Sequence, residues 1–358
     1  MPVDSTRPRR VLYVGPMLPG STTLQRFSAL QDLGHAMTAV TTVPDSRARR
    51  SPPSLVARAR RKLFGPHDQV RANTGILAAL GAEAFDLAWI DKGLTIRPRT
   101  LQAIRNAQPQ CRIVGFSPDD MMNPSNQSAK FLRGLPAYHV YITTKSYNVA
   151  ELQQLGCPRA VFMPNGYDPH THRPMPVTPH ERAALGGPVG FVGQWEPDRA
   201  ASLRTLARAG IPVRIWGYTW ERMTDVPADV RLENRPVWGD DYARAICAFD
   251  VNLCFLRKCN RDLQTTRTVE IPACGGFMLA ERTDEHLEMF EEGKEAEFFS
   301  SAEELLAKTR YYLRYPEQRQ RIARAGYERC QRSGYSYPDR LHRVLQGVVD
   351  EGALRSAH

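Results

Sequence analysis

The residues best suited to chemistry lie between Asn260 and Gly276. A polar loop, Asn260-Arg261-Asp262-Leu263-Gln264, runs into an apolar segment whose spacing predicts a helix over Thr265–Ala273. The first turn of a helix carries unpaired backbone N–H groups and the positive end of the helix dipole. Together these attract an anion such as a pyrophosphate. Lys258, Arg261 and Arg267 are close enough in sequence to add charge-assisted hydrogen bonds to the same group. The hydroxyls of Thr265 and Thr266 can cap the helix or meet a phosphate, and the Gln264 amide borders the same turn. Glu270 sits about one turn deeper, where a carboxylate can accept two hydrogen bonds from a ribose diol. Asp262, in the loop, is placed to face whatever group the pyrophosphate carries. The plainer alternative is an ordinary helix of an α/β sheet with Glu270 paired locally.

A second set of residues lies in the first half of the chain. Asp119 and Asp120 follow the apolar run Arg112–Phe116. Adjacent carboxylates at the carboxyl end of a strand either grip hydroxyl groups, one of them acting as a general base, or cap a solvated turn. Gly15 and Gly20 bracket the turn after the first strand and let backbone approach a transferred group; the spacing is neither a dinucleotide fingerprint nor a P-loop. Lys92 and Lys145 follow two further strands and suit a phosphate or carboxylate, or a structural role. Trp238, with Trp195, Trp216 and Trp220, offers an aromatic face for a nucleobase or for core packing.

These residues need elements to hold them, and the chain alternates short apolar strands with amphipathic helices. Strands are expected at Val11–Gly15, Met37–Thr42, Leu87–Ile90, Arg112–Phe116, His139–Thr143 and Ala160–Met163. A turn-rich stretch from Pro164 to Pro188 follows, with Pro174, Pro176 and Pro179 inside it. The alternation then restarts with strands at Val189–Val192, Val213–Trp216, Val251–Phe255, Phe277–Ala280 and Glu297–Phe299. Such a pattern predicts an α/β protein of two doubly wound parallel sheets, with ligands at the carboxyl ends of the strands in a central crevice. The expected organisation is an N-terminal domain over residues 1–165, a linker over 166–187, a C-terminal domain over 188–335, and a last helix in 336–358 packing back on the first domain.

Bulk properties narrow the function classes. A chain of 358 residues, 42% hydrophobic and 24% charged, is long enough for two cored domains. No run approaches the apolar length needed to span a bilayer, and Met1–Arg10 is polar and basic without a signal-like apolar segment, so a cytoplasmic protein is expected. Seven cysteines at irregular spacings, without a C-x-x-C, argue for reduced thiols rather than disulfides or zinc. The net charge of +10 points to an anionic partner. The most basic stretch, Arg47–Arg71 within an insertion over 45–71, reads either as a surface helix at an anionic leaflet on the inner membrane face or as a solvated loop. No nucleic-acid-binding motif accompanies the charge, so nucleic acid is not an expected partner.

The run Asp262-x7-Glu270-Ile-Pro-Ala-Cys-Gly-Gly resembles the E-x7-E element of glycosyltransferase family 4 (group 1) enzymes, which have the GT-B fold of two Rossmann-like domains. Arg267-Thr-Val-Glu270-Ile-Pro-Ala-Cys-Gly-Gly-Phe, with Glu291-Glu-Gly-Lys-Glu295, is more specifically similar to the CgeB-like, spore-maturation branch of that clan. Phe191-Val-Gly193-Gln194-Trp195 with Asp198-Arg199 resembles the clan's first glycine loop, and Trp216-Gly217 its second. Pro164-Asn-Gly-Tyr-Asp168 resembles its interdomain hinge. The chain departs from the clan at three positions: Gln194 stands at the phosphate-binding Arg, Arg199 at the Lys, and Asp262 at the first Glu.

The resemblance implies a glycosyltransferase of the hexosyltransferase class. It would move a sugar from a nucleotide-diphosphate donor, bound by the domain over 188–335, to a hydroxyl acceptor (a glycan, lipid-linked sugar, small molecule or protein), bound by the domain over 1–165, with Asp262 facing the donor sugar and retention of configuration as the expected outcome. The nucleotide-sugar is a substrate, and neither cofactor nor metal is expected, since the metal-binding D-x-D motif belongs to a different glycosyltransferase architecture. Asp119 or Asp120 is the candidate base if the reaction inverts. Two alternatives share the fold: a sugar-nucleotide epimerase and a non-catalytic partner-binding protein.

Overall fold

Runs of Val, Ile, Leu and aromatic residues bounded by turn residues form the strands of two parallel sheets. A computed structural model describes residues 7–44 and 65–350. The basic stretch singled out above falls mostly in residues 45–64 and so lies outside the described residues. The chain divides into two units, one of residues 1–164 with 337–358 and one of residues 165–336.

The first unit holds β1 (Arg10–Gly15), β2 (Ala36–Thr41), β3 (Leu87–Asp91), β4 (Arg112–Ser117), β5 (Val140–Thr143) and β6 (Ala160–Phe162). They lie in the order β2-β1-β3-β4-β5-β6, all parallel. Val11, Leu12, Leu87, Ala88, Trp89 and Ile90 are fully buried, as expected of strands covered by helices on both faces. The terminal helix Tyr337–Val344 buries Leu341 with Ala29 and Leu30 of the helix Thr22–Asp32.

The second unit holds β7 (Gly187–Val192), β8 (Val213–Trp216), β9 (Val230–Leu232), β10 (Phe249–Cys254), β11 (Met278–Glu281) and β12 (Glu297–Phe299), in the order β12-β11-β10-β7-β8-β9. In each sheet the chain starts in the interior and winds outward both ways. The switch points lie between β1 and β3 and between β7 and β10, where the loops after the strands diverge and leave room for a ligand.

Three local features differ from the sequence expectation. The edge strand β9 is only three residues long and half-buried, too short to show a strand period. The turn-rich stretch contains a helix, Pro179–Leu185, whose start is a capping box: Thr178 Oγ1 accepts from the Glu181 N–H at 3.2 Å, and the Glu181 carboxylate accepts from the Thr178 N–H at 2.9 Å. The helix expected from Thr265 starts at Arg267. Its other end closes on Gly275 at φ +75°, with Gly276 N–H donating to Ile271 at 3.0 Å and Gly275 N–H to Pro272 at 2.8 Å. The Cys-Gly-Gly run is therefore a left-handed helix stop that returns the chain into β11.

Candidate functional site

The loops after β7 and β10 meet at the switch point of the second unit. Arg257 Nε donates to Glu196 Oε1 at 2.9 Å, and the Arg267 guanidinium donates to the Val192 carbonyl. The loop after β7 is pinned to that after β8 through two glycines. Gly193 N–H donates to the Trp216 carbonyl at 2.8 Å, and the Gly193 carbonyl accepts from Trp220 Nε1 at 2.8 Å. A Cβ on Gly217, which has φ +152°, would stand 1.9 Å from the Gly193 oxygen, so only glycine lets the two loops pass. Trp216 and Trp220 are fully buried here, which makes them packing residues rather than stacking platforms; Trp238 keeps 56% of its surface exposed at the start of the helix Gly239–Ala248.

Arg199 is the most unusual cation of the unit. It lies on the helix Pro197–Arg208 and is only 4% exposed. One nitrogen donates to the Gln194 carbonyl at 3.1 Å, Glu196 lies 3.8 Å away, and the guanidinium rests over the Phe191 ring at 5.5 Å. Its Nε has no partner among the described residues. Burial lowers its pKa; Glu196 and Asp262 favour the charge while Arg267 and Arg257 oppose it. Such a group remains a cation, and a buried cation with an unused donor and like-charged neighbours suits an incoming anion.

The loop leading to Glu270 is held from several sides. Asp262 is 9% exposed and accepts from Asn260 Nδ2 at 2.7 Å and from Arg257 N–H at 3.3 Å. Gln264 is 1% exposed and accepts from the Asn165 side chain at 2.8 Å and its N–H at 3.2 Å, so the hinge-like Pro164–Asp168 segment is tied to the loop. Thr265 N–H donates to Thr268 Oγ1 at 3.0 Å, and Thr265 Oγ1 accepts from Arg267 N–H at 3.1 Å. Behind them, His286 Nε2 lies 2.8 Å from Thr268 Oγ1 and its Nδ1 2.6 Å from the Glu281 carbonyl. Thr266 precedes the first helical residue and makes no side-chain cap. Glu270 is 6% exposed and accepts from Tyr242 Oη at 2.7 Å. Arg261 is exposed, with φ +46°, and Lys258 turns to Glu281 at 3.2 Å. Gln194 is also exposed.

Sequence reasoning singled out most of these loops but not Tyr242, His172 or His286. Tyr242 stands 28 residues from Glu270 and His286 stands 18 from Thr268, while His172 meets Glu270 from a separate segment, so no linear motif reports these pairings; Tyr242's apolar helical spacing signals burial alone.

In the first unit the two acids divide. Asp119 pairs with Lys92 and is partly exposed. Asp120 is 2% exposed and accepts from Met122 N–H and Asn148 Nδ2, both at 2.9 Å, which is a loop-bracing role. Lys92 sits at φ +60° directly after Asp91, whose carboxylate accepts from Arg26 at 2.6 Å, Trp89 Nε1 at 2.9 Å and Tyr13 Oη at 3.2 Å. Lys145 is 3% exposed, its N–H donating to Thr143 Oγ1 at 3.1 Å. Gly15 packs so closely that a Cβ would meet Thr23 at 2.9 Å and Asp91 at 3.0 Å, and Gly20 turns the loop at φ +73°.

Among the described residues no cluster of three or more His, Cys, Asp or Glu side chains is arranged to hold a metal ion, and no helix is long and apolar enough to cross a membrane. All seven cysteines are free thiols.

Comparison with known proteins bears on the whole. A family described as glycosyl transferase-like matches residues 199–346, a span that includes Arg199, Asp262, Arg267 and Glu270. No curated protein sequence matches the chain. Among solved structures, HepE of Anabaena in complex with UDP-glucose is similar over 97% of this chain and 100% of its own, with TM-score 0.58 and 13% identity. Sucrose-phosphate synthase of Thermosynechococcus elongatus is similar over 98% and 99%, with TM-score 0.61 and 13% identity. A putative UDP-N-acetylglucosamine 2-epimerase of Listeria monocytogenes is similar over 95% of both chains, with TM-score 0.56 and 11% identity. The two six-stranded parallel sheets with interleaved helices are the two Rossmann-like units of the GT-B fold.

Proposed function

We propose that this protein is a glycosyltransferase that uses a nucleotide-diphosphate sugar and a hydroxyl acceptor. The observation that carries the reading is Arg199, a buried guanidinium with an unused Nε–H, set beside Arg267 and Arg257 at the β7/β10 switch point. The glycosyl transferase-like family match over the same residues supports it, as do UDP-glucose and UDP in the HepE structures. In this reading the second unit binds the donor. Arg199 and Arg267 take the diphosphate, and Glu270 takes the ribose. The first unit supplies the acceptor side through the Gly15–Gly20 turn and Asp119. Catalysis is orientation plus stabilisation of the departing diphosphate by fixed cations.

The finer reading follows the motif resemblance: a hexosyl donor, retention of configuration, no required metal, and kinship with the CgeB-like branch. Because Asp119 is engaged by Lys92 and Asp120 braces its loop, the geometry favours a reaction that needs no protein base.

The test is calorimetric titration with UDP, GDP and dTDP. The wild type binds at least one of them, and Arg199→Gln weakens that binding about tenfold or more, the loss of a charge-assisted bond to phosphate. No binding of any of the three, or unchanged affinity in Arg199→Gln, overturns the donor assignment. Turnover of a sugar nucleotide to its epimer without an acceptor favours the epimerase that shares this fold.

A further inference from the structure

Glu270 does not stand alone. Its Oε2 accepts from Tyr242 Oη at 2.7 Å, and its Oε1 faces His172 Nε2 at 3.6 Å. All three residues are less than a tenth exposed. They come from three separate elements: Glu270 from the helix Arg267–Ala273, Tyr242 from the helix Gly239–Ala248, and His172 from the segment after the hinge-like motif.

The imidazole is itself oriented. His172 Nδ1 accepts from the Asp168 N–H at 3.0 Å, which leaves the proton on Nε2, the nitrogen that faces Glu270. Asp168 is held in turn, its carboxylate accepting from Thr171 Oγ1 at 2.6 Å and His170 N–H at 3.1 Å. The His172 and Tyr242 rings meet edge to face at 5.4 Å, so the two side chains pack directly against each other. Burial and the neighbouring carboxylate raise the Tyr242 pKa, which keeps the phenol a donor.

A carboxylate has about four acceptor sites. Tyr242 uses one, and the 3.6 Å approach of His172 is an electrostatic contact, too long for a hydrogen bond. Capacity remains on both oxygens for a pair of hydroxyl donors. We propose that His172 and Tyr242 are positioning residues that set the plane of the Glu270 carboxylate for a ribose diol, so that the protein discriminates ribonucleotides from 2′-deoxyribonucleotides. The proposal rests on the donor reading given above.

The experiment measures binding of UDP and GDP, each against its 2′-deoxy counterpart, to wild type, Glu270→Ala, Tyr242→Phe, His172→Leu and His172→Gln. Thermal denaturation of each variant accompanies it. The wild type prefers the ribo form. Tyr242→Phe and His172→Leu lower that preference about three- to tenfold, the worth of one net hydrogen bond, with little change in affinity for the deoxy form. His172→Gln, whose amide nitrogen reaches the place of Nε2, restores most of it.

A merely structural role weakens both forms equally and leaves the preference intact, which overturns the proposal. Because the readout is a ratio, a variant that is partly destabilised still decides it; if Tyr242→Phe does not fold, the Leu and Gln variants at 172 decide it alone. The two readings fail differently. Loss of preference in Glu270→Ala with no change in the Tyr242 and His172 variants sinks only the positioning role. A wild type without ribo preference, or Glu270→Ala that keeps it, sinks the ribose assignment beneath it.

Discussion

At the scale of single residues, this protein buries charge where a fold alone gains nothing from it. Arg199 is such a case, since its Nε has no partner among the described residues and a buried polar group left unsatisfied is costly. Gly217 is the opposite kind of residue, defined by what it lacks. Its backbone passes the Gly193 carbonyl with no room for a side chain. Gly217→Ala is expected to cost roughly 3 kcal/mol or more, from positive φ and the clash together. Chemical denaturation measures this; a loss below 1 kcal/mol means the two glycine loops part easily, against the close approach described here. These two residues were also legible to different degrees. The Gly193 and Gly217 turns stand out in sequence because glycine after an apolar run is local information. The burial of Arg199 is not local, since an arginine in the first turn of a helix reads as a solvated residue until its surroundings are known.

At the scale of elements, one hydroxyl joins the loop that leads to Glu270 to its support. Thr283 Oγ1 donates to the Leu263 carbonyl at 2.6 Å and accepts from His286 N–H at 3.1 Å, where it caps the helix Asp284–Met289. Thr283→Val keeps the shape and removes both bonds. It is expected to lower stability by about 1 kcal/mol, as lost caps do, and to weaken nucleotide binding several-fold by loosening the loop. Urea unfolding and calorimetry together check this, and stability loss with unchanged nucleotide affinity separates the cap from the loop. Eleven of the twelve described strands followed from apolar periodicity, with boundaries shifted by a few residues. The helix Pro179–Leu185 was missed because three prolines dominate the stretch, although Thr178-Pro-His-Glu181 carries a capping-box spacing.

At the scale of the whole molecule, two neutral histidines, one buried and one half-buried, make stability depend on pH. Burial pushes His286 down to about 4, against the favourable Glu281 carbonyl, and His139 down to about 4, with Arg105 and Arg112 adding to the effect. A histidine whose folded pKa is depressed leaves the unfolded chain binding more protons below the ordinary value near 6.5. Stability is therefore full above that value and falls as pH drops toward 4, with His286 alone contributing on the order of 3 kcal/mol of loss. Urea midpoints between pH 7 and pH 4 follow this fall, and His286→Gln flattens it; an unchanged slope in that variant rules out His286 as the titrating group.

Sequence by itself determined the α/β class, the restart of the alternation after Pro188 and the Asp262–Glu270 run, because strand length, helical period and turn residues are all local in the chain. Tertiary structure alone decided which polar residues are spoken for. Asp120 braces a loop, Gln264 holds Asn165, and Glu270 is shared with Tyr242 and His172. Those partners are brought together by parallel strand crossings, and a hydrogen bond between residues 28 or 99 positions apart leaves no periodic trace in the sequence.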